Sequence, residues 1–156
     1  ISMSTPNQSG DLAKQALEVC ICLQTRKASR SITQIFDQIL APVGVKATQL
    51  SLLMVAQARG PIAMCDLANA LVTDATSLSR SLKPLLAKDM VSFTNSPNDR
   101  RVKLVSLTAT GRLTLDQALP LWQKAQTLVV RQLSSAVVQS LLPVLESAAQ
   151  LEHNTT

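Results

Sequence analysis

The chain has 156 residues, of which 46% are hydrophobic, and it carries a formal net charge of +5. This length and composition fit one domain of ordinary size with a buried core, and they argue against intrinsic disorder. No apolar run reaches the roughly 18 residues of a membrane span, and residues 1–10 lack the apolar centre of a secretory leader, so we expect a cytoplasmic protein.

Residue types that carry enzyme chemistry are scarce in this chain. It has three cysteines, no tyrosine and one histidine, His153, which lies in a polar C-terminal stretch. The carboxylates are scattered singly, at positions such as Asp37, Asp66 and Asp116, without the clustering that catalysis and metal binding need. We therefore expect no catalytic residue, no metal and no cofactor.

The first part of the chain predicts three helices. Apolar residues recur at helical spacing over residues 11–23 and again over residues 28–39. A third helix, for which Thr48 is the expected cap, ends before Gly60 and Pro61.

The next segment predicts a helix-turn-helix. A short helix over residues 65–71 is followed by a turn at Val72 and Thr73, and Asp74 is a good N-cap for a second helix. Pro84 lies inside this second helix and is expected to kink or perturb it, because proline lacks the backbone donor.

Beyond Met90 the apolar pattern changes from helical to alternating. Residues 91–94 and 102–107 each predict a strand, and the polar residues 95–98 between them are a dense turn signal. A hairpin with a long, basic tip directly after a helix-turn-helix is the wing of a winged helix.

Two apolar helices are predicted at the C-terminal end, over residues 113–133 and 137–151, the second with a kink at Pro143. Together with the helices of residues 11–41, they carry more apolar surface than a small monomer covers. One interpretation is that this surface is buried against a second copy of the chain, which would contribute roughly 25 cal/mol per Å² of apolar area buried. The other interpretation is that the helices form a bundle closed within one chain. We favour a two-fold symmetric homodimer.

Positive charge is concentrated in the predicted helix-turn-helix and hairpin. From Asp74 to Arg112 seven basic residues outnumber three acidic ones, a net charge of +4, whereas the rest of the chain carries +1. A localised positive surface is typical of nucleic-acid binding, although a solvated basic face would give the same charge count.

The second helix of the helix-turn-helix carries side chains suited to reading DNA. Thr76, Ser77 and Ser79 lie in its first turns, where hydroxyls reach phosphates or base edges. Arg80 is expected to bind guanine through two hydrogen bonds, and Lys83 is expected to bind a phosphate.

The hairpin tip carries a second set of candidate contacts. Arg101 is expected to enter the minor groove, and Arg100 and Lys103 to bind phosphates. Asp99 would repel DNA by itself, so we expect it to orient Arg101 or a neighbouring arginine through an ion pair. A solvated side chain is the alternative for each basic residue.

The hairpin and the residues after it contain a recognisable motif. Residues 99–101 (DRR), residues 107–108 (LT) and Gly111 resemble the D-x-R…L-T-x-x-G wing signature of the MarR family, and residues 74–80 (DATSLSR) resemble the start of its recognition helix. The order of elements over residues 12–151 is similar too.

The resemblance implies one mainly helical domain over residues 1–156 with a small β-hairpin wing. In it, helices of residues 11–41 and 113–151 dimerise, and residues 46–107 form the winged helix-turn-helix lobe. It also implies a regulator, usually a repressor, that binds pseudo-palindromic operators and is released by a small ligand or by cysteine oxidation. A winged-helix module that docks proteins without binding DNA is the alternative function.

Two regulatory hypotheses follow from the resemblance. Cys20, Cys22 and Cys65 are candidates for redox sensing, with small buried apolar residues as the alternative. Cys20 and Cys22 lie on one predicted helix, roughly 200° apart around its axis, so they cannot pair with each other.

The second hypothesis concerns an effector pocket between the terminal helices and the DNA-binding lobe. Phe36, Met54 and Trp122 are candidates for its lining, and ordinary core packing is the alternative for each of them.

Overall fold

A computed structural model describes residues 8–151, which include every candidate site residue, and His153 lies outside the described residues. Within this range the chain forms two compact units, one up to Ile35 and one from Phe36 onward. The α-helices are α1 (Gln8–Val19), α2 (Ile21–Leu40), α3 (Ala47–Arg59), α4 (Met64–Ala70), α5 (Ala75–Ala87), α6 (Ala109–Leu133) and α7 (Ser135–Ala149). A 3₁₀ turn follows α2, and the strands are β1 (Ile62–Ala63), β2 (Val91–Asn95) and β3 (Lys103–Leu107). The predicted mainly helical fold with a small hairpin is confirmed.

The first unit contains a helix break that the sequence pattern did not predict. Helix α1 ends at Val19, so Cys20 does not share a helix with Cys22, and the prediction of one helix through Leu23 is wrong. The Leu23 N–H approaches the Cys20 sulfur at 3.5 Å. The side-chain amide of Gln24 donates to a carbonyl oxygen of α1 at 2.8 Å. Both contacts supply partners for backbone groups that a helix end leaves unpaired.

The second unit is built around one hydrophobic core. The core takes leucines from the end of α2 and from α3, α4 and α5, together with a valine at the centre of β3. Its largest fully buried side chains are Leu40, Leu50, Leu53, Leu67, Leu78, Leu82, Leu85 and Val105. Burial of each leucine stabilises the fold by about 1.5–3 kcal/mol, so the helix-turn-helix and the hairpin are held as one body.

Helix α3 begins one residue before the cap that the sequence predicted. Its N-cap is Lys46 and not Thr48, so that prediction is wrong. The Ala47 N–H donates to the Asp37 carboxylate at 2.7 Å, and the Gln49 side chain accepts from the Lys46 N–H at 2.9 Å. Acceptors from α2 and from the first turn of α3 therefore replace the threonine hydroxyl.

The helix-turn-helix follows its prediction closely. Helix α4 leads into a turn in which Val72 takes a positive φ of 49°, and α5 begins after Asp74. The predicted cap is confirmed, because the Asp74 carboxylate accepts from the Ser77 N–H at 2.9 Å. Helix α5 continues through Pro84 for three more residues.

The strands form one antiparallel sheet in the order β1-β3-β2. In the predicted hairpin, Phe93 of β2 lies opposite Val105 of β3. Strand β1, which was not predicted from the sequence, pairs with the other edge of β3 and places Ile62 opposite the same Val105. Two residues are too few to display the alternation by which strands are recognised.

The C-terminal helices differ in how much they bury. Helix α6 begins at Ala109, four residues before its prediction, because the Thr108 side chain caps it by accepting from the Gly111 N–H at 3.0 Å. It covers the core with Leu115 and Ala118. Helix α7 runs through Pro143 and has no buried residue.

Among residues 8–151, no single helix has both the length and the hydropathy of a membrane span. Two pairs of consecutive helical segments, each bent between its members, have the required length and hydropathy only when the two members are counted together. They are Ile21–Val43 with Ala47–Arg59 and Ala109–Leu133 with Ser135–Ala149.

Candidate nucleic-acid interface

Helix α5 carries a shallow groove on its solvent side. The groove encloses about 450 Å³ and is lined by Ala75, Thr76, Ser79, Arg80 and Lys83. Positions three and four apart are neighbours on a helix surface, which is why these side chains share one face. Four of the five DNA-binding candidates on this helix are thus brought together.

Ser77, the fifth candidate on α5, lies outside this groove. Its side chain is half-buried, and its hydroxyl donates to the Asp74 carboxylate at 2.7 Å. This hydrogen bond is the main reason why the pKa of Asp74 lies below its usual value, and the hydrogen bond from the Ser77 N–H lowers the pKa further. Ser77 therefore acts with Asp74 in starting the helix, a pairing that the N-cap position of Asp74 could have revealed.

No ion pair among residues 8–151 neutralises the cations of the groove. Within the part of the chain that the structure describes, the two ion pairs are Lys14 with Asp11 and Arg101 with Asp99. Arg80 and Lys83 are exposed and pair with no acidic side chain in this range, so their charges are available to an anion.

The hairpin tip contains the predicted ion pair between Asp99 and Arg101. The Arg101 Nε and Nη2 donate to the two carboxylate oxygens of Asp99 at 3.1 and 3.2 Å, and the Arg101 N–H donates to the same carboxylate at 3.0 Å. The guanidinium and the backbone N–H of Arg101 hold the pKa of Asp99 below its usual value. The Arg101 side chain remains 91% exposed, so the pair fixes its direction without covering it.

The other two tip cations have different surroundings. Arg100 is exposed and has no acidic partner among the described residues. The Lys103 ammonium lies 5.7 Å from the centroid of the Phe93 ring, a cation–π contact across the hairpin. This contact holds the lysine against the strand face, so it is less free than a fully solvated side chain.

Two of the seven basic residues that were counted in the sequence serve the fold. The Lys88 ammonium donates to the Gly44 carbonyl at 2.9 Å, and the Arg112 guanidinium donates to the Leu107 carbonyl at 3.0 Å. The charge count therefore overstated the number of cations that are free to meet an anion.

The L-T-x-x-G part of the motif is structural. Besides capping α6, Thr108 donates its hydroxyl to the Asp89 carbonyl, which ties the base of the hairpin to the helix. A Cβ atom at Gly111 would lie 1.9 Å from the Met90 carbonyl oxygen. Only glycine fits this close approach.

The cysteines are free thiols with different exposure. Cys20 is half-buried, and Cys22 and Cys65 are exposed. The alternative of a small buried apolar residue is therefore wrong for Cys22 and Cys65. The redox role stays a prediction.

Phe36, Met54 and Trp122 are half-buried and pack against the core. None of the three lines the groove of α5 or any of three further cavities among residues 8–151. Their role in an effector pocket stays a prediction.

Comparison with known proteins identifies relatives of this chain. Residues 45–103 match the model of the MarR family. The HTH-type transcriptional repressor NicR of Pseudomonas putida is 26% identical over 129 residues, which span 83% of this chain and 82% of that protein.

Solved structures agree with this result. The crystal structure of the Mycobacterium tuberculosis transcriptional regulator MosR is 31% identical with a TM-score of 0.73, over 86% of this chain and 98% of that one. A mutant of Escherichia coli MarR complexed with operator DNA shares the fold with a TM-score of 0.77 at 23% identity, over 85% of this chain and 96% of that one. These relatives are transcription regulators and not enzymes. The chain therefore belongs to the MarR family of winged helix-turn-helix transcription regulators.

Proposed function

We propose that this protein is a homodimeric repressor that binds pseudo-palindromic operators in the cytoplasm. The observation that carries the proposal is the pair of exposed cationic surfaces, the groove of α5 and the hairpin tip, where Arg101 stays 91% exposed although it is paired with Asp99. Duplex DNA presents a regular array of phosphates, and cations that replace its counterions supply much of the binding free energy. The relative MosR, 31% identical, has been crystallised with DNA, and the relative NicR is named a repressor.

The two surfaces have distinct roles in this proposal. Helix α5 enters the major groove, where Arg80 reads guanine and Thr76, Ser79 and Lys83 contact base edges or phosphates. The exposed Arg101 guanidinium enters the adjacent minor groove, whose narrow stretches attract arginine.

Phosphate contacts complete the interface. Arg100 and Lys103 bind phosphates beside the hairpin tip, and Asp99 orients Arg101. Ser77 contributes mainly by starting the recognition helix, since its hydroxyl is bonded to Asp74.

Dimerisation is supported by apolar surface that the described chain leaves uncovered. Val137, Leu142 and Val144 of α7 are 50%, 55% and 63% exposed, and Leu12 and Leu17 of α1 are 67% and 60% exposed. A monomer seldom leaves so many large apolar side chains on two helices in contact with water. We assign the dimer interface to residues 11–41 and 113–151, and DNA binding to residues 46–107.

Release from DNA is assigned to a small ligand or to oxidation of a cysteine. The exposure of Cys65, which lies outside the assigned dimer interface, supports access by an oxidant. For a ligand, the half-buried Phe36, Met54 and Trp122 offer apolar contacts at the edge of the core.

The proposal is tested by measuring affinity for the DNA upstream of the protein's own gene by fluorescence anisotropy over a range of salt concentrations. The logarithm of the association constant is expected to fall linearly with the logarithm of salt concentration, by about 0.9 for each phosphate neutralised. A protein-docking module, the alternative function, would bind no duplex at any salt concentration. That outcome would refute the proposal.

A further inference from the structure

The α5 groove differs in chemistry along its length. Its cations, Arg80 and Lys83, lie in the second and third turns of the helix, whereas Ala75 and Thr76 lie in the first turn. Both first-turn side chains are exposed, and neither is charged. The groove therefore has a cationic part and, nearer the start of the helix, a part that offers methyl groups and a hydroxyl to whatever enters it.

The first turn of α5 is a poor place for a phosphate. The Asp74 carboxylate lies there, accepting from the Ser77 N–H at 2.9 Å and from the Ser77 hydroxyl at 2.7 Å. Among residues 8–151 it is paired with no cation, so its negative charge repels a phosphate. The parts of a duplex that this end of the helix can approach are the uncharged base edges.

Thymine is the base whose major-groove edge carries a methyl group. The side chain of Ala75 is a methyl group alone, and Thr76 adds a second methyl group beside its hydroxyl. Contact of such groups with the thymine methyl removes apolar surface of both partners from water. Cytosine, which is also a pyrimidine, has no methyl group and offers no such contact.

Helical geometry sets how far this contact lies from the guanine assigned to Arg80. Thr76 and Arg80 line the same groove and are separated by one helical turn, about 6 Å along the axis. Stacked base pairs are about 3.4 Å apart. A helix that lies along the major groove therefore places the thymine roughly two base pairs from the guanine.

We propose that Ala75 and Thr76 select a thymine in each operator half-site by contact with its methyl group, roughly two base pairs from the guanine that Arg80 binds. This inference rests on the proposed function and adds a sequence preference to it. Lys83 contributes to the affinity for any duplex, whereas the two methyl groups decide which duplex is preferred.

The first part of the test removes the methyl group from the DNA. A duplex is selected from a random pool by its affinity for the full chain, and each thymine in it is then replaced singly by uracil, which pairs in the same way but lacks the methyl group. Fluorescence anisotropy measures the Kd for each duplex. At one thymine in each half-site, uracil is expected to weaken binding about fourfold, because one methyl-sized apolar contact is lost. Unchanged affinity for every uracil-containing duplex would overturn the proposal.

The second part removes the methyl groups from the protein. Thr76→Ser deletes one methyl group and keeps the hydroxyl, and Ala75→Gly deletes the whole side chain. Each is expected to reduce the fourfold preference for thymine to about twofold or less, because two groups in contact have non-additive effects. Ala87→Gly makes the same change at the exposed last residue of α5, outside the groove, and should keep the full preference. A full preference in both groove variants would show that the methyl groups do not meet, and the proposal would fall.

The two proposals fail in different ways. If no duplex is recovered from the pool even at low salt, the proposed function falls, and the thymine contact falls with it. If a duplex is recovered and its affinity depends on salt, but neither groove variant reduces the effect of any uracil, the chain still binds DNA and only the thymine contact is rejected.

Discussion

Asp99 holds Arg101 at the hairpin tip through three hydrogen bonds to its carboxylate, one from the backbone N–H and two from the guanidinium. An arginine that is already held in one direction loses less conformational entropy when it enters a DNA groove. Because the pKa of Asp99 is lowered, its carboxylate is charged at neutral pH. The carboxylate becomes protonated, and the ion pair is lost, only as the pH falls below 3.8, the ordinary pKa of an aspartate. The ion pair therefore stays intact across the physiological pH range.

Replacing Arg101 tests the role of the hairpin tip. We expect Arg101→Ala to weaken binding to all duplex sequences and to lower the salt slope by about one unit, because one phosphate or groove contact is lost. Fluorescence anisotropy at several salt concentrations measures both effects. Arg131→Ala, which removes an exposed arginine from the last turn of α6, is the matched control, provided that sedimentation equilibrium shows it to be as dimeric as the wild type. A slope equal to that of the wild type in Arg101→Ala would reject a contact between this residue and DNA.

At the scale of single elements, hydrogen bonds accepted by a side-chain carboxylate and a side-chain hydroxyl fix where α5 and α6 begin. Asp74 starts α5 by accepting from Ser77, and Thr108 starts α6 by accepting from the Gly111 N–H. Each bond satisfies a backbone donor that has no partner inside the helix. The start of α5 also sets where the proposed DNA-binding side chains begin.

The cap of α5 gives a pH-dependent prediction. The folded-state pKa of Asp74 is lowered by the Ser77 hydroxyl, so its stabilisation is present at neutral pH and is lost as the pH falls below the ordinary value of 3.8. We expect Asp74→Ala to lower Tm at pH 7 by a few degrees and by less at pH 3. Asp74→Asn keeps a capping side chain that does not titrate, and its Tm should fall less between these pH values than that of the wild type. Differential scanning calorimetry measures the Tm of the three proteins. An Asp74→Ala variant with the same Tm as the wild type at pH 7 would contradict the capping role of Asp74.

The junction of the hairpin with α6 gives a second prediction at this scale. A methyl group at Gly111 would lie 1.9 Å from the Met90 carbonyl oxygen, so the helix and the hairpin would have to move apart. We expect Gly111→Ala to lower the free energy of unfolding by about 1–3 kcal/mol or more. Urea titration measures the change, with Thr110→Ala on the exposed side of the same turn as the control, for which about 0.5 kcal/mol or less is expected. Equal stability of the two variants would mean that the junction tolerates a side chain.

At the scale of the whole molecule, the apolar surface of α7 points to a second copy of the chain. Helix α7 has no buried residue, and Val144 is 63% exposed. A symmetric dimer would cover such a surface and would present two recognition helices to successive major grooves.

Introducing a charge on α7 tests the dimer. We expect Val144→Glu to shift the protein toward the monomer and to weaken operator binding, because a carboxylate would be buried in the interface. Gln139→Glu adds the same charge at an exposed position roughly 140° around the helix and should remain dimeric. Sedimentation equilibrium measures the oligomeric state, and two equally dimeric variants would exclude this face of α7 from the interface.

The sequence by itself determined the succession of elements and most of the proposed DNA-binding surface. Helical and alternating patterns, the Asp74 cap and the concentration of cations after it depend on residues a few positions apart, so they can be read without a fold. The placement of Thr76, Ser79, Arg80 and Lys83 on one face follows from helical spacing alone.

Only the tertiary structure decided features whose atoms are distant along the chain. Asp37 sets the start of α3, the short strand β1 exists because β3 lies beside it, and Gly111 is required because the Met90 carbonyl lies against it. A hydrogen bond or a close contact depends on where two segments meet, and periodicity carries no information about that meeting.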